Sequence, residues 1–240
     1  MSMSILGKSY LNKKAALSLL LSLVVIAFTV PSRAGDKEKD EETLTNAGNV
    51  LQDMLNNQSI PQDVISKADC ILILPSVKKF SFGIGGSGGR GPLVCHGGSS
   101  FTGKWSAPAM YSVGGVSAGL QLGGTSTDYV LLIMTEKGVN AVLNGKTKLG
   151  RDAAAAAGPS GANVGAVSGN DIFTYGRSKG LFAGVSLGAA SLDPDSDANQ
   201  RLYGKSITPR EIVTGNNVQP PTASQGMLSL LDSKEAKLSN

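Results

Sequence analysis

The sequence predicts an α+β fold that is mainly β, with antiparallel strands in a closed barrel-like or sandwich core and short helices flanking it. Two observations support this prediction. Apolar residues alternate with polar or small residues over short spans, and many of the 31 glycines interrupt the alternation. Such a pattern is typical of strands joined by tight turns and bulges. The stretch 90–124, which is dense in glycine and shows no helical periodicity, is the centre of this predicted sheet.

The first 34 residues have the features of a secretory signal peptide. Three lysines between residues 8 and 14 precede an uncharged, mainly apolar run over 15–30, and small residues surround Ala34. This order predicts cleavage after Ala34. The alternative is a membrane anchor, although the run is shorter than the roughly 20 apolar residues that a helical span needs. We therefore expect an exported protein that is periplasmic or extracellular and peripheral to the membrane.

The charge balance changes once the leader is set aside. Four of the 22 basic residues lie before Gly35, and the rest are matched by the 18 acidic residues. A near-neutral mature chain does not favour a general nucleic-acid binder. Any anion site must therefore be a local group of basic residues.

After the leader, we expect three further parts. Residues 35–58 form a charged linker and an amphipathic helix over 41–56, in which Leu44, Ala47, Leu51 and Met54 recur at three- and four-residue steps. Residues 59–216 form the domain core. Residues 217–240 form a polar tail.

Two cysteines, Cys70 and Cys95, lie in predicted strands. An exported protein permits a disulfide between them. The alternative is that both are small, buried apolar side chains. The sequence leaves both possibilities open.

The motifs for nucleotide, metal or catalytic chemistry are incomplete. Residues 83–88 match GxGxxG but run into more glycine and Pro92, where a dinucleotide site needs a helix. Residues 98–104 resemble a phosphate-binding loop, but Trp105 replaces its Ser or Thr. His96 is the single histidine and lacks a nucleophile elbow. One histidine and two cysteines are also too few for a convincing zinc site. We expect no enzyme, cofactor or metal.

Basic residues at predicted turns and strand ends are the remaining candidates for binding. Turn backbones can present bare N–H groups to anions, and arginine adds bidentate contacts to phosphate. For any one residue the alternative is a solvated surface charge. The predicted lipid-binding residues are Arg90, Lys104, Lys146, Lys148, Arg151, Arg177 and Lys179.

Several segments together resemble the SYLF domain over roughly residues 44–213. These segments are Gly89–Gly91, Trp105–Pro108, Gly119–Gly123, Gly158–Pro159, Tyr175–Leu187 and Asn199–Gly204. The resemblance implies a lipid-binding domain, since eukaryotic members bind phosphoinositides and other anionic lipids, and some bind actin. It also implies membrane contact by an N-terminal amphipathic helix, whose counterpart is residues 41–56.

We expect the chain to differ from the eukaryotic pattern, with an export signal and without an appended Src-homology-3 or FYVE module. It resembles the exported bacterial branch. The expected function is non-catalytic binding of anionic phospholipid at the envelope, with no nucleic acid, an unknown protein partner and actin unfavoured. The alternative is a structural envelope protein that binds another protein, in which the apolar stripe of the helix is ordinary core. An enzyme would need His96 in a pocket beside a serine and a carboxylate.

Overall fold

The computed structural model describes residues 33–58, 60–159, 169–178, 181–184, 187, 190–215 and 217–238. The expected signal peptide falls almost entirely on residues 1–32, which lie outside this set. The chain divides into two compact units, Met1–Asp36 and Lys37–Asn240. The second unit holds the whole sheet and the helices that pack on it.

Six α-helices, one 3-10 helix and seven strands occur in the described residues. In chain order they are α1 Arg33–Asn57, α2 Gln62–Ile65, β1 Cys70–Cys95, β2 Ala109–Ile133, α3 Glu136–Leu143, β3 Thr147–Lys148, β4 Ala155–Ala157, β5 Ile172–Ser178, β6 Leu181–Gly184, β7 Ser191–Pro194, α4 Ser196–Tyr203, α5 Pro209–Thr214, the 3-10 helix Thr222–Ser224 and α6 Gln225–Leu238.

The strands form one curled sheet in the order β3-β7-β2-β5-β4, with β1 paired to β2 and β6 paired to β5. All pairs are antiparallel except β4 with β5, which is parallel. The predicted fold class, mainly antiparallel β with flanking short helices, is confirmed. The single parallel pair is a difference from the prediction.

The first strand curls back on itself. A straight strand of this length would span about 85 Å, yet its terminal residues Cys70 and Cys95 have Cα atoms 3.9 Å apart and are joined by a disulfide. Within the curl, Gly91 packs so closely that a Cβ atom would lie 1.8 Å from the carbonyl oxygen of Ile73. The curl therefore depends on glycine at this point, and the sheet encloses a core.

Alternate residues of the sheet supply two apolar clusters. Leu72, Tyr111 and Leu131 belong to one cluster, which also includes residues of α3 and α5. Ile73 and Val130 belong to the other, which is covered by α1, α2 and α6. Because strand side chains alternate between faces, one continuous strand can build both layers.

The helix α1 is longer than predicted, and its apolar stripe is part of the core. The helix begins at Arg33, within residues expected to be leader and linker. Leu44, Ala47, Leu51 and Met54 are all fully buried. The apolar stripe therefore packs within the domain. This arrangement is the one expected if the chain is a structural protein that binds another protein.

The C-terminal residues are also structured, where the sequence predicted a polar tail. Residues 222–238 are helical. Met227 and Leu231 of α6 are buried in the cluster that also contains Leu51 and Met54 of α1. Within the described residues, no helix is both long and apolar enough to cross a bilayer.

Candidate functional site

The candidate site is a cleft between the loop 97–107 and the segment 213–220, which we call the Trp105 cleft. It encloses about 340 Å³. Gly97, Gly103, Lys104 and Trp105 line one wall. Val213, Gly215, Val218 and Pro220 line the other.

The loop that forms the first wall is fastened to the disulfide. The Ser106 amide donates to the Cys95 carbonyl at 2.8 Å, and the Cys95 amide donates to the Ser106 hydroxyl at 3.1 Å. Inside the loop, the Gly97 amide donates to the Lys104 carbonyl at 2.8 Å. Phe101 adopts a positive φ of 50° and inserts its ring into the core. These contacts hold the loop at the end of the curled strand.

His96 and Trp105 form an aromatic pair at the base of the loop, with ring centroids 4.0 Å apart. The Nδ1 atom of His96 lies 2.8 Å from the Gly103 carbonyl oxygen. Burial raises the pKa of the neighbouring Asp69 carboxyl. The charge of His96 lowers this pKa, and the charge of Glu136 raises it further. The imidazole thus packs on the indole and helps to shape the loop.

The second wall follows a short, well-capped helix. The Thr208 hydroxyl and the Glu211 carboxylate form a reciprocal capping box at the start of α5. These hydrogen bonds lower the pKa of Glu211. At the end of the helix, a Cβ atom on Gly215 would lie 2.4 Å from the Glu211 carbonyl oxygen, so glycine is required there. Ile212 and Val213 anchor the helix in the core.

Arg90 lies away from this cleft and is held by two aspartates. It donates a hydrogen bond to Asp40 of α1 and lies 3.5 Å from Asp195. Arg201 of α4 also contacts Asp40, with Nε 2.7 Å from Oδ2. The Asp40 side chain is fully buried. The arginine predicted to meet a lipid phosphate thus meets carboxylates inside the protein.

Arg177 is held in a comparable way near the other end of α1. Its Nε donates to Asp128 at 2.7 Å, and its Nη1 donates to Asp53. Burial lowers the pKa of Arg177, but the hydrogen bonds and charges of Asp128 and Asp53 outweigh it, so the pKa is raised. Asp40 and Asp53 are thirteen residues apart, or about 20 Å along the helix axis. Two arginines therefore clamp α1 at separate points.

The other predicted basic residues fall in different environments. Lys146 lies 3.5 Å from Asp193, and Arg151 lies 3.8 Å from Asp152. The Lys148 side chain is exposed, while its amide donates to Asp152. Lys104 lies at the Trp105 cleft. Lys179 lies outside the described residues.

The structure thus places these residues in separate groups. Lys146, Lys148 and Arg151 are close together around β3, and Arg90 approaches the same region because its register partner Ser112 is paired with Asp193 of β7. Arg177 and Lys104 lie elsewhere. In the part of the chain that the structure describes, no group of three or more potential metal ligands comes together.

Asp40, Arg201 and the segment 213–220 are not among the residues predicted from the sequence. Asp40 lies in an acidic run that resembles a solvated linker, and its partners are 50 and 161 residues away along the chain. The tail residues 217–220 carry few apolar side chains. Trp105 can be singled out from the sequence, because it is the single tryptophan and lies in the most glycine-rich stretch.

Known proteins with similar sequences are named for an SH3 domain or for binding Las17. An SH3 domain-containing protein of Schizosaccharomyces pombe is 33% identical over 82% of this chain and 46% of its own length. LAS seventeen-binding protein 3 of Saccharomyces cerevisiae is 33% identical over 74% of this chain and 39% of its own. SH3 domain-containing YSC84-like protein 1 of Homo sapiens is 34% identical over 75% of this chain and 53% of its own length. The chain thus spans about half the length of these relatives. No solved structure matches it.

These names correct the partner that the sequence predicted. We expected an anionic phospholipid surface, with actin unfavoured and no protein partner assigned. That expectation is wrong, because one of these relatives, LAS seventeen-binding protein 3, is named for a protein partner. The structure gives a physical reason, since two of the arginines assigned to phosphate are paired with aspartates instead.

A family model described as "Las17-binding protein actin regulator" matches residues 114–234, which is half of the chain. The match includes β5 and α4, which carry parts of segments that resembled the SYLF domain. The chain therefore belongs to the Ysc84 family, the family of SYLF domains.

Proposed function

We propose that this chain is a non-catalytic binding domain for a protein of the actin-regulatory kind, and that the Trp105 cleft is its contact site. The observation that carries the proposal is the burial of the whole apolar stripe of α1. Because the apolar face of α1 is packed inside the domain, it supports a compact domain that binds through its surface. It does not support a domain that inserts this helix into lipid. The name of one relative, LAS seventeen-binding protein 3, supports a protein partner.

The cleft suits this role because contacts with the rest of the fold hold each of its walls. One wall is fastened to a disulfide and the other to a capped helix. A preformed surface loses less conformational entropy on binding than a loop that must be ordered. The half-buried apolar side chains of Val218 and Pro220 provide area for burial.

The direct test measures binding of the full chain to purified Las17 and to actin filaments. We expect saturable binding to one of them. Replacing half-buried Val218 by arginine places a long charged side chain in the cleft and should weaken this binding at least about tenfold, equivalent to about 1.4 kcal/mol. The matched control is Lys148→Gln, an exposed change at β3. Binding to neither protein would contradict the proposal.

A second arm of the same experiment distinguishes a protein partner from the anionic phospholipid that the sequence predicted. The chain is mixed with phosphatidylcholine vesicles with and without phosphatidylglycerol and floated on a gradient. We expect no enrichment with the anionic vesicles. Recovery that depends on phosphatidylglycerol, without binding to either protein, would replace a protein partner with a lipid one.

Export of the chain is a separate proposal. The Cys70–Cys95 disulfide supports it, because structural disulfides persist in oxidising compartments. Fractionation of the producing cell, with N-terminal sequencing of the recovered protein, tests it. Export with removal of the leader predicts a chain that starts at Gly35. An intact N-terminus in the cytoplasmic fraction would contradict it.

A further inference from the structure

A second groove, which we call the α1/α6 groove, lies on the surface between the first and the last helix. Its volume is about 320 Å³. Thr45, Asn49 and Gln52 of α1 line one side, and all three are exposed. The two helices are close together here, since a Cβ atom on Gly48 would lie 3.6 Å from the Cβ atom of Met227. The other side is lined by Ala223, Gly226, Met227 and Leu230.

Both helices lack charged residues along this groove. Residues 43–52 of α1 and residues 212–231, which lead into α6 and form its first half, contain no Asp, Glu, Lys or Arg. At the average of 17% charged residues in this chain, these two stretches would hold about five charges. Charges resume at Glu42 and Asp53 of α1 and at Asp232 of α6. Depletion of Lys, Glu and Asp is the composition found at the centre of protein–protein interfaces.

Amide side chains occupy exposed positions of this uncharged surface. Asn46, Asn49, Gln52 and Gln225 are exposed, and none of their side chains forms a hydrogen bond with another residue in the described part of the chain. An amide side chain both donates and accepts hydrogen bonds. A surface of amides is therefore complementary to a copy of itself, whereas a surface with charges of one sign would repel its copy.

The base of the groove is apolar and has open space. Met227 is buried and Leu230 is half-buried against the cluster that covers one face of the sheet. Gly226 is exposed, and a Cβ atom added there would meet nothing within 4 Å. The groove can therefore receive a side chain from another molecule, with apolar contact below it and amides beside it.

We propose that the α1/α6 groove is the contact between two copies of this chain, related by a two-fold axis that places groove against groove. A two-fold contact brings the same residues together from both sides, so it needs a surface that is complementary to itself. The uncharged, amide-bearing surface meets this condition. It has fewer exposed residues than the roughly 20–30 on each side of a standard interface, so we expect a weak, reversible dimer. This contact goes beyond the proposed function and does not involve the Trp105 cleft.

Sedimentation equilibrium of the full chain over a concentration series measures this association. We expect a reversible dimer with the same dissociation constant at about 50 and about 500 mM sodium chloride, because salt screens only contacts between charges. Asn49→Lys places a charge in the groove and should weaken the dimer at least about tenfold, since an unpaired charge is costly to bury. Gln200→Lys is the matched control, because it introduces the same charge at an exposed position of α4.

Gly226→Glu tests the groove from its other side. The monomer has space for the added Cβ atom, and a glutamate in the first turn of a helix is favourable, so the unfolding midpoint should not fall while the dimer weakens. A mixture of Asn49→Lys with Gly226→Glu should associate more strongly than either variant alone, because the facing grooves then carry opposite charges. A chain that is monomeric throughout the series, or a dimer that Asn49→Lys leaves unchanged, would overturn the inference. So would a dimer that dissociates at high salt, or a mixture that associates no more strongly than its components.

Discussion

Arg90 of β1 donates a hydrogen bond to the fully buried carboxylate of Asp40 in α1. The contact joins two elements that are 50 residues apart in sequence. Arg201 completes the arrangement from α4, so one aspartate links the first helix to the sheet and to a later helix. The packing of α1 thus rests on a buried ionic contact as well as on its apolar stripe.

Removing this carboxylate should destabilise the domain. Asp40→Asn keeps the size of the side chain but leaves Arg90 and Arg201 without a counter-charge. Breaking a buried ion pair costs about 3–5 kcal/mol, and we expect about 2–3 here because both arginines are partly exposed. Urea denaturation measures the change. Glu42→Gln, on an exposed position of the same helix, is the control. Equal unfolding free energies for the two variants would show that Asp40 has no such role.

The curl of β1 should depend on glycine at residue 91. A Cβ atom there would meet the Ile73 carbonyl at 1.8 Å and the Pro75 ring at 3.0 Å. Gly91→Ala should therefore destabilise the fold by more than about 3 kcal/mol or prevent folding, because backbone atoms must move. Gly114→Ala is the matched change on β2, where nothing lies within 4 Å of the added atom. Thermal unfolding that is the same for both variants would contradict the packing described.

The disulfide should stabilise the domain by about 3 kcal/mol, because it closes a loop across a sequence separation of 25. A double variant, Cys70→Ala with Cys95→Ala, removes it without leaving a free thiol. We expect dithiothreitol to lower the unfolding midpoint of the natural chain to that of the double variant. The double variant itself should not respond to the reductant. A natural chain that is equally stable with and without reductant would argue against the bridge.

The Asp171 carboxylate should make stability depend on acid pH. Burial raises its pKa, but hydrogen bonds from Thr135, the Ala154 amide and Lys137 outweigh burial, so the pKa lies below its ordinary value of 3.8. A carboxyl whose pKa is lower in the folded state stabilises the fold above the unfolded pKa. This stabilisation is lost as the pH falls through the folded pKa.

Comparison with Asp171→Asn tests this dependence. Near neutral pH the variant should be less stable by about 1–3 kcal/mol, the cost of removing a partner from charged hydrogen bonds. The difference should shrink as the pH falls below about 4. Asp232→Asn, an exposed change on α6, serves as the control. A stability difference that does not change with pH would exclude this role of Asp171.

Local signals are sufficient where an element depends on neighbouring residues. The helix over 136–143 and the Thr208 cap of the α5 helix are of this kind, because their contacts lie within one turn of each other. The full length of β1 is not accessible in this way, because Pro75 and the glycines resemble the ends of strands. In the fold, pairing with β2 continues beyond Pro75, with register shifts between Leu74 and Val77 and between Ser81 and Gly83. Tertiary pairing there overrides the local preference.

The candidate site is only partly accessible to sequence reasoning. Lys104 is one of the basic turn residues, and Trp105 stands out as the single tryptophan. Their opposite wall, residues 213–220, comes from more than 100 residues later in the chain. Arg90 and Arg177 match a pattern for anion binding, but their carboxylate partners are long-range contacts that no local pattern contains.

The proposed function depends most on the position of α1, whose apolar face packs into the folded core instead of facing a membrane. Hydrogen–deuterium exchange of the full chain, with and without phosphatidylglycerol vesicles, measures this directly. We expect amides over 44–55 to exchange as slowly as those of the central strand β2, and vesicles to leave them unchanged. Rapid exchange over 44–55 in the free protein, with protection that appears only when vesicles are added, would contradict it.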